Sequence, residues 1–209
     1  MRRATRIVAA SFGVLAGLAG LEHGYYEILQ GNIRPDGLMI VSIGPPCVPE
    51  ATWNACEPAM TVLPSFLAGG IMTVIVSVVI LIWSAAFVQR KRGGLVLMLL
   101  SGVLLLTGGG IFPPLIGIIG GAAGTQINRP LPSKAPGSVV RFAEKLWPWP
   151  LVVMVVWLLG QFPVGHFFNA FLMSIMGFGL ILILAMLPLT VLTAYARDVV
   201  RPRPEEAAG

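Results

Sequence analysis

Residues 95–124 read LVLMLLSGVLLLTGGGIFPPLIGIIGGAAG, from Leu95 to Gly124, and the parsing of this stretch decides the topology of the chain. It is apolar throughout but is interrupted by Gly108-Gly109-Gly110 and by Pro113-Pro114. As one helix it would carry the chain outward across a bilayer. As two short helices meeting at the glycines it returns the chain to the side it left. Charge separates the two. With the hairpin, thirteen of the fourteen Lys and Arg residues fall on one side: Arg2, Arg3, Arg6, Arg90, Lys91, Arg92, Arg129, Lys134, Arg141, Lys145, Arg197, Arg201 and Arg203. Only Arg34 falls on the other. With a single span the division is eight outside and six inside. Cytoplasmic loops are the ones enriched in Lys and Arg, so the hairpin is the favoured parse. An arm such as Leu95–Thr107 rises only about 20 Å at ~1.5 Å per residue. The hairpin therefore turns within the outer leaflet or is re-entrant, and both versions keep the same parity.

Composition supports a membrane setting. Of 209 residues 56% are hydrophobic and 11% charged, with a mean hydropathy of +0.85. Soluble domains carry roughly a quarter charged residues. The net charge of +5 lies in short clusters beside apolar segments, where basic residues orient spans and meet lipid headgroups. No basic stretch is interleaved with stacking aromatics, so nucleic acid is discounted as a partner.

The expected fold is an all-α membrane protein forming a single domain over 1–209. It is a six-helix transmembrane bundle, or four spans plus a re-entrant helical hairpin, with N and C termini cytoplasmic. Helices are expected at about 7–29, 66–88, 95–107, 112–126, 150–162 and 167–195. An extracytoplasmic loop covers 30–65. A cytoplasmic loop, 127–149, carries an amphipathic helix from Ser138, which is expected to cap it. The outer turn of the last hairpin is placed at Phe162-Pro163-Val164-Gly165-His166, and Pro188 is expected to kink the last helix. The basic start and short apolar core of residues 1–20 also fit a signal peptide, but a retained helix is expected. The protein is expected in the plasma (inner) membrane.

Projected at 100° per residue, Ala9, Gly13, Ala16, Gly17, Gly20 and Gly24 share one face of the first helix, which suits close helix–helix approach. His23 and Glu27 fall at the edge of that face, one turn apart, and are expected to look into the bundle. Glu22 points to the opposite side, toward the headgroup layer. Ionisable residues within membrane segments mark sites by default. Interrupted helices also expose backbone groups that bind ligands. The candidate ligand-binding residues are therefore His23, Glu27, Glu22, His166, Gly108, Gly109 and Gly110.

Cys47 and Cys56 fall in the extracytoplasmic loop and are expected to form a disulfide that shapes a Pro-rich lid. Their spacing matches no Cys-x-x-Cys redox motif. No catalytic pattern is present: no nucleophile elbow, no His-Glu-x-x-His and no phosphate-binding loop. No cofactor or metal is assigned, and an enzyme is not expected. The leading expectation is a small-solute transport, permeation or ligand-binding membrane subunit. A non-catalytic accessory subunit, packing against other membrane subunits or a second copy through small-residue faces, is the alternative. A haem or metal protein using His23 and His166 is the third.

Overall fold

The computed structural model describes residues 1–44, 47, 53–132 and 135–201. Pro45, Pro46 and Pro49 of the loop, and Lys134 and Arg203 of the basic clusters, lie outside the described residues. The chain runs α1 (Arg3–Gln30), β1 (Met39–Ile43), β2 (Glu57–Met60), α2 (Phe66–Ala86), α3 (Gly93–Thr107), α4 (Phe112–Gly124), α5 (Ser138–Leu146), α6 (Trp149–Phe167) and α7 (Asn169–Val200). Four helical runs are long and apolar enough to cross a membrane: α1, α2, the run from α5 through α6, and α7.

The stretch 95–124 is a helical hairpin. Gly108 ends α3 at φ 115° and Gly110 follows at φ 79°, backbone that only glycine adopts without strain. Pro113 and Pro114 then occupy the first positions of α4, where a missing N–H costs no helical bond. At 15 and 13 residues the arms rise about 22 and 20 Å. Neither reaches the ~30 Å of a hydrocarbon layer. The arms lie close because a Cβ on Gly94 would collide with the backbone of Gly121 and Thr125.

α1 is the axis of the molecule and packs on α2, α4 and α7. Its small face meets α2: Gly13 lies on Ser84, Gly20 on Ser77, and Gly24 on the Gly70 carbonyl. A Cβ on Gly70 would in turn stand 2.6 Å from the Gly24 carbonyl, so the contact is reciprocal. Toward α4, Gly117 faces Ala16 and Gly120 faces Phe12. Phe12, Leu15, Ile116, Met154 and Leu187 fill the centre between α1, α4, α6 and α7.

Both described chain ends meet at one end of the bundle. Asp198 accepts from Ala4 N and Thr5 N, each at 2.8 Å, and from Thr5 Oγ1 at 2.7 Å. A carboxylate from the far end of the sequence thus satisfies the open N–H groups of α1. Glu144 of α5 pairs with Arg197 and, at 2.9 Å, with Arg201 beyond α7. The same end gathers Arg90–Arg92 and Arg129, since Asn128 Nδ2 donates to Gln89 O at 2.9 Å. Among the described residues Arg34 is the only Lys or Arg at the opposite, lid end.

Several expectations need correction. The fold is not purely helical, because β1 and β2 pair antiparallel in the 30–65 loop. Alternating burial marks β1, Met39–Ile43, within this Pro-rich loop, with Ile40 and Ser42 inward and Met39 and Val41 exposed. The last outer turn is not at 162–166: α6 runs through Pro163 to Phe167, and the chain breaks at Phe168. In an apolar helix the loss of one hydrogen bond at proline is tolerated. α5 starts after Gly137, with no side-chain cap from Ser138. Pro188 lies inside α7, where the sequence places it.

Asp198→Ala should lower stability by about 1–2 kcal/mol, the scale of a lost helix cap. Asp198→Asn should lose less, since it keeps one acceptor. Thermal unfolding in mild detergent measures both.

Candidate functional site

The lid end of α1 carries the site. After Tyr26 the helix runs to Gln30 and stops at Gly31, whose φ of 80° requires glycine. Gln30 Nε2 then donates to Val41 O and Ser42 O at 3.1 and 2.8 Å, pinning β1 across the helix end. In a strand, alternate residues share a face. Ile40 and Ser42 are accordingly turned inward while Met39 and Val41 are exposed. Ser42 is thus delivered onto α1, between His23 and Glu27.

These three side chains are sealed, at 2% exposure for His23 and 0% for Ser42 and Glu27. His23 Nδ1 lies 3.0 Å from Ser42 Oγ, and Ser42 Oγ donates to Glu27 Oε1 at 3.0 Å. Gly108 O is 3.3 Å from the same hydroxyl. On its other edge, His23 Nε2 stands 3.3 Å from Glu57 Oε2 of β2. Glu57 is 40% exposed and forms the outer end of the group. His23 and Glu27 are therefore linked through Ser42 rather than to each other.

The glycine turn makes room for Glu27 and His23. A Cβ on Gly108 would fall on the Glu27 carboxyl, and one on Gly110 on the His23 ring. From α2, a Cβ on Gly69 would stand 2.8 Å from Glu27 Oε2. That oxygen has no hydrogen-bond partner. Close by, the Thr107 carbonyl accepts from Thr73 Oγ1 at 2.8 Å. Thr61, just past β2, bridges Thr107 and closes the lid onto the hairpin tip.

Beside this group opens a crevice of about 350 Å³ between α1, α4, α6 and α7. Its walls are apolar and include Leu15, Leu18, Phe112, Ile116, Trp157, Phe162 and Ile183. Glu22, His23 and Glu57 supply polar groups at its rim. Trp157 Nε1 is a buried donor with no partner. The lid closes one side: Trp53 stacks edge-on against Phe162 at 5.7 Å and lies on Gly165. Asn54 Nδ2 donates to Glu22 Oε1 at 2.7 Å. A disulfide joins Cys47 to Cys56 at the base of this lid segment.

Of the sequence candidates, His23, Glu27 and Gly108–Gly110 come together, with Glu22 next to them at the crevice rim. Glu22 does not point away from the bundle as expected, because Asn54 reaches it from the lid. His166 does not join them. It is exposed and packs edge-on against Phe167 at 4.8 Å, so a His23–His166 ligand pair has no basis in this geometry. Among the described residues no three His, Cys, Asp or Glu side chains group as metal ligands. Ser42, Trp53, Asn54 and Glu57 went unnoticed in the sequence. Only Ser42 had a signal, the alternation of Met39–Ile43.

Ser42, His23 and Glu57 have the connectivity of a nucleophile, a base and an orienting carboxylate. Access argues against hydrolysis. Ser42 is wholly enclosed and its hydroxyl is committed to Glu27, while the crevice touches only the His23 and Glu57 side. The arrangement can hold and move protons, and its crevice can hold an apolar body. Compared with protein-family models, characterised proteins and solved structures, the chain shows no match.

Gly108→Ala should destabilise the protein by about 1–3 kcal/mol or more, from backbone strain alone, before the clash with Glu27 is added. Gly102→Ala, with open space at its Cβ, should be neutral or stabilising by up to about 1 kcal/mol. Unfolding curves of the two variants separate a required glycine from an incidental one.

Proposed function

We propose that this is a multi-pass membrane protein that binds a small amphiphile at its lid end. The apolar body of the ligand lies in the crevice, and a cationic or hydrogen-bond-donating head lies against Glu22 and Glu57. The observation that carries the proposal is the lining itself: an apolar cavity of about 350 Å³ with two carboxylates and a histidine gathered at one rim. Its volume is within the ordinary range of ligand sites, about 300–1,000 Å³.

The membrane setting is supported by exposed apolar side chains far beyond what water tolerates. Ile71, Ile75 and Ile82 of α2, Val156 and Leu159 of α6, and Phe178, Ile181 and Leu184 of α7 all face outward. The Arg-rich end is the cytoplasmic one and the lid is extracytoplasmic, on the positive-inside rule. The disulfide agrees with an oxidising compartment for the lid.

Binding is favoured over permeation because Phe12, Met154 and Leu187 fill the bundle below the crevice, so it ends blind. It is favoured over a purely accessory role because the small-residue face of α1 is already used inside the chain, against α2 and α4.

The test uses the protein in nanodiscs, with Trp83, Trp147 and Trp149 replaced by Phe, and brominated alkyl chains of equal length ending in amine, hydroxyl or carboxylate. Quenching of the remaining tryptophans should saturate. The amine should bind about tenfold tighter than the carboxylate, a difference of about 1.4 kcal/mol. Gly177 borders the crevice with nothing within 4 Å of its Cβ, so Gly177→Phe should fill the cavity without disturbing packing. Quenching that Gly177→Phe leaves intact, or that ignores the head group, would sink the proposal. Membrane-impermeant labelling of single cysteines at Gly37 and Lys91, in intact cells, should reach Gly37 alone.

A further inference from the structure

We propose that Glu57, His23 and Ser42 form a relay that carries a proton between the crevice rim and the enclosed carboxyl of Glu27. The geometry is continuous. Glu57 Oε2 to His23 Nε2 is 3.3 Å, His23 Nδ1 to Ser42 Oγ is 3.0 Å, and Ser42 Oγ to Glu27 Oε1 is 3.0 Å. The two links to Ser42 are hydrogen bonds, and the Glu57–His23 contact is an ion-pair distance that a small shift of the half-exposed Glu57 side chain closes to a hydrogen bond.

Donor counting fixes the direction of each link. Serine has one hydroxyl proton. Its closest acceptor is Glu27 Oε1; Gly108 O at 3.3 Å and His23 O at 3.5 Å are more distant. With that proton committed, Ser42 Oγ accepts, so His23 Nδ1 bears the hydrogen. In the neutral ring Nε2 is then a bare acceptor facing a carboxylate oxygen. Two acceptors 3.3 Å apart need a proton between them, whether it sits on Glu57 or on His23.

Transfer is a shift of three protons with no change in electron count. The proton on Glu57 Oε2 moves to His23 Nε2. The Nδ1–H bond breaks as its proton moves to Ser42 Oγ, and the original hydroxyl proton of Ser42 moves to Glu27 Oε1. Glu57 is left as carboxylate, Glu27 as neutral acid, Ser42 as a hydroxyl again and His23 as its other tautomer. The reverse sequence restores the start.

Among the described residues Glu27 has no other exchange partner. Its oxygens face Ser42 from β1, Gly69 from α2 and the Thr107–Gly108 end of α3, with Thr61 beyond. None of these residues titrates. The titratable groups of the neighbourhood are His23, Glu57 and, on the crevice side, Glu22 beside Asn54. The second oxygen of Glu27, Oε2, has no hydrogen-bond partner among the described residues, so Ser42 is the only described group bonded to this carboxyl.

The test is infrared hydrogen–deuterium exchange on the full-length protein in nanodiscs, without any ligand, so its outcome is separate from that of the amphiphile proposal. The carbonyl stretch of a protonated carboxyl, assigned by its loss in Glu27→Gln, should shift promptly when the sample is moved into D2O. In Glu57→Gln, which keeps the size of a half-exposed side chain, the shift should slow by at least about tenfold. Ser42→Ala should slow it similarly and Ser42→Thr should restore it. Exchange as fast in Glu57→Gln as in the unaltered protein would overturn the relay. So would the absence of any band that Glu27→Gln removes, at every pH at which the protein stays folded.

Discussion

The close approach of α1 to α2 is the contact on which the rest of the structure depends. Gly24 and Gly70 stand with each one's missing Cβ aimed at the other's carbonyl, at 2.9 and 2.6 Å. In the proposed lipid setting, helices gain nothing from hiding apolar surface from each other, since the solvent is equally apolar. What remains is dispersion and close backbone contact, and both require small residues in register. Gly13, Gly17, Gly20 and Gly24 provide that register over the length of α1. The same approach carries the lid end of α1 against the α3–α4 turn, so His23 and Glu27 are placed by packing that lies below them.

Enclosing a carboxyl is costly unless its charge is neutralised or paired. Around Glu27 the fold supplies one hydroxyl and leaves the second oxygen unmatched. The lid is what makes this possible. Without β1 there is no Ser42, and the end of α1 would lie open to water. The β1–β2 pair, the Cys47–Cys56 disulfide and the Gln30 bonds to β1 all hold that one serine in place. The lid therefore serves the interior as much as the surface.

The helical architecture was legible because its signals are local and redundant. The glycine turn, the prolines opening α4 and the small face of α1 each follow from steric rules that one stretch of chain satisfies alone. Much of the site was not legible. His23 and Glu27 were found from helical projection, but their link, Ser42, comes from a five-residue strand hidden in a proline-rich loop. Glu57 and Asn54 have no periodic signal, because a short lid has no long face to repeat. Glu22 was misdirected for the same reason. Projection places a residue relative to its own helix, and cannot foresee a loop folding back to meet the other side. His166 shows the converse error: sharing an end of the bundle does not bring two residues into contact.

The two ends of the molecule are joined differently, and the crevice lies at the lid end. At the Arg-rich end, Asp198 caps α1, Glu144 holds Arg197 and Arg201, and Arg2 lies over the Tyr195 ring and donates to Pro130 O. α7 is therefore fixed to α1 and α5 by directional bonds, those to α1 joining residues 193 and 194 apart in sequence. Nearer the lid, α7 meets the core through the apolar Ile183 and Leu187. An added Cβ on Gly177 would meet nothing within 4 Å, while Trp157 of α6 lies on Gly179 of α7 and Trp53 of the lid lies on Gly165 of α6. Tryptophans thus space α6 from α7 and the lid from α6, and the crevice is lined by Trp53, Trp157 and Gly177. Glu22, His23 and Glu57 border the same opening, so apolar wall and polar rim meet at the lid end.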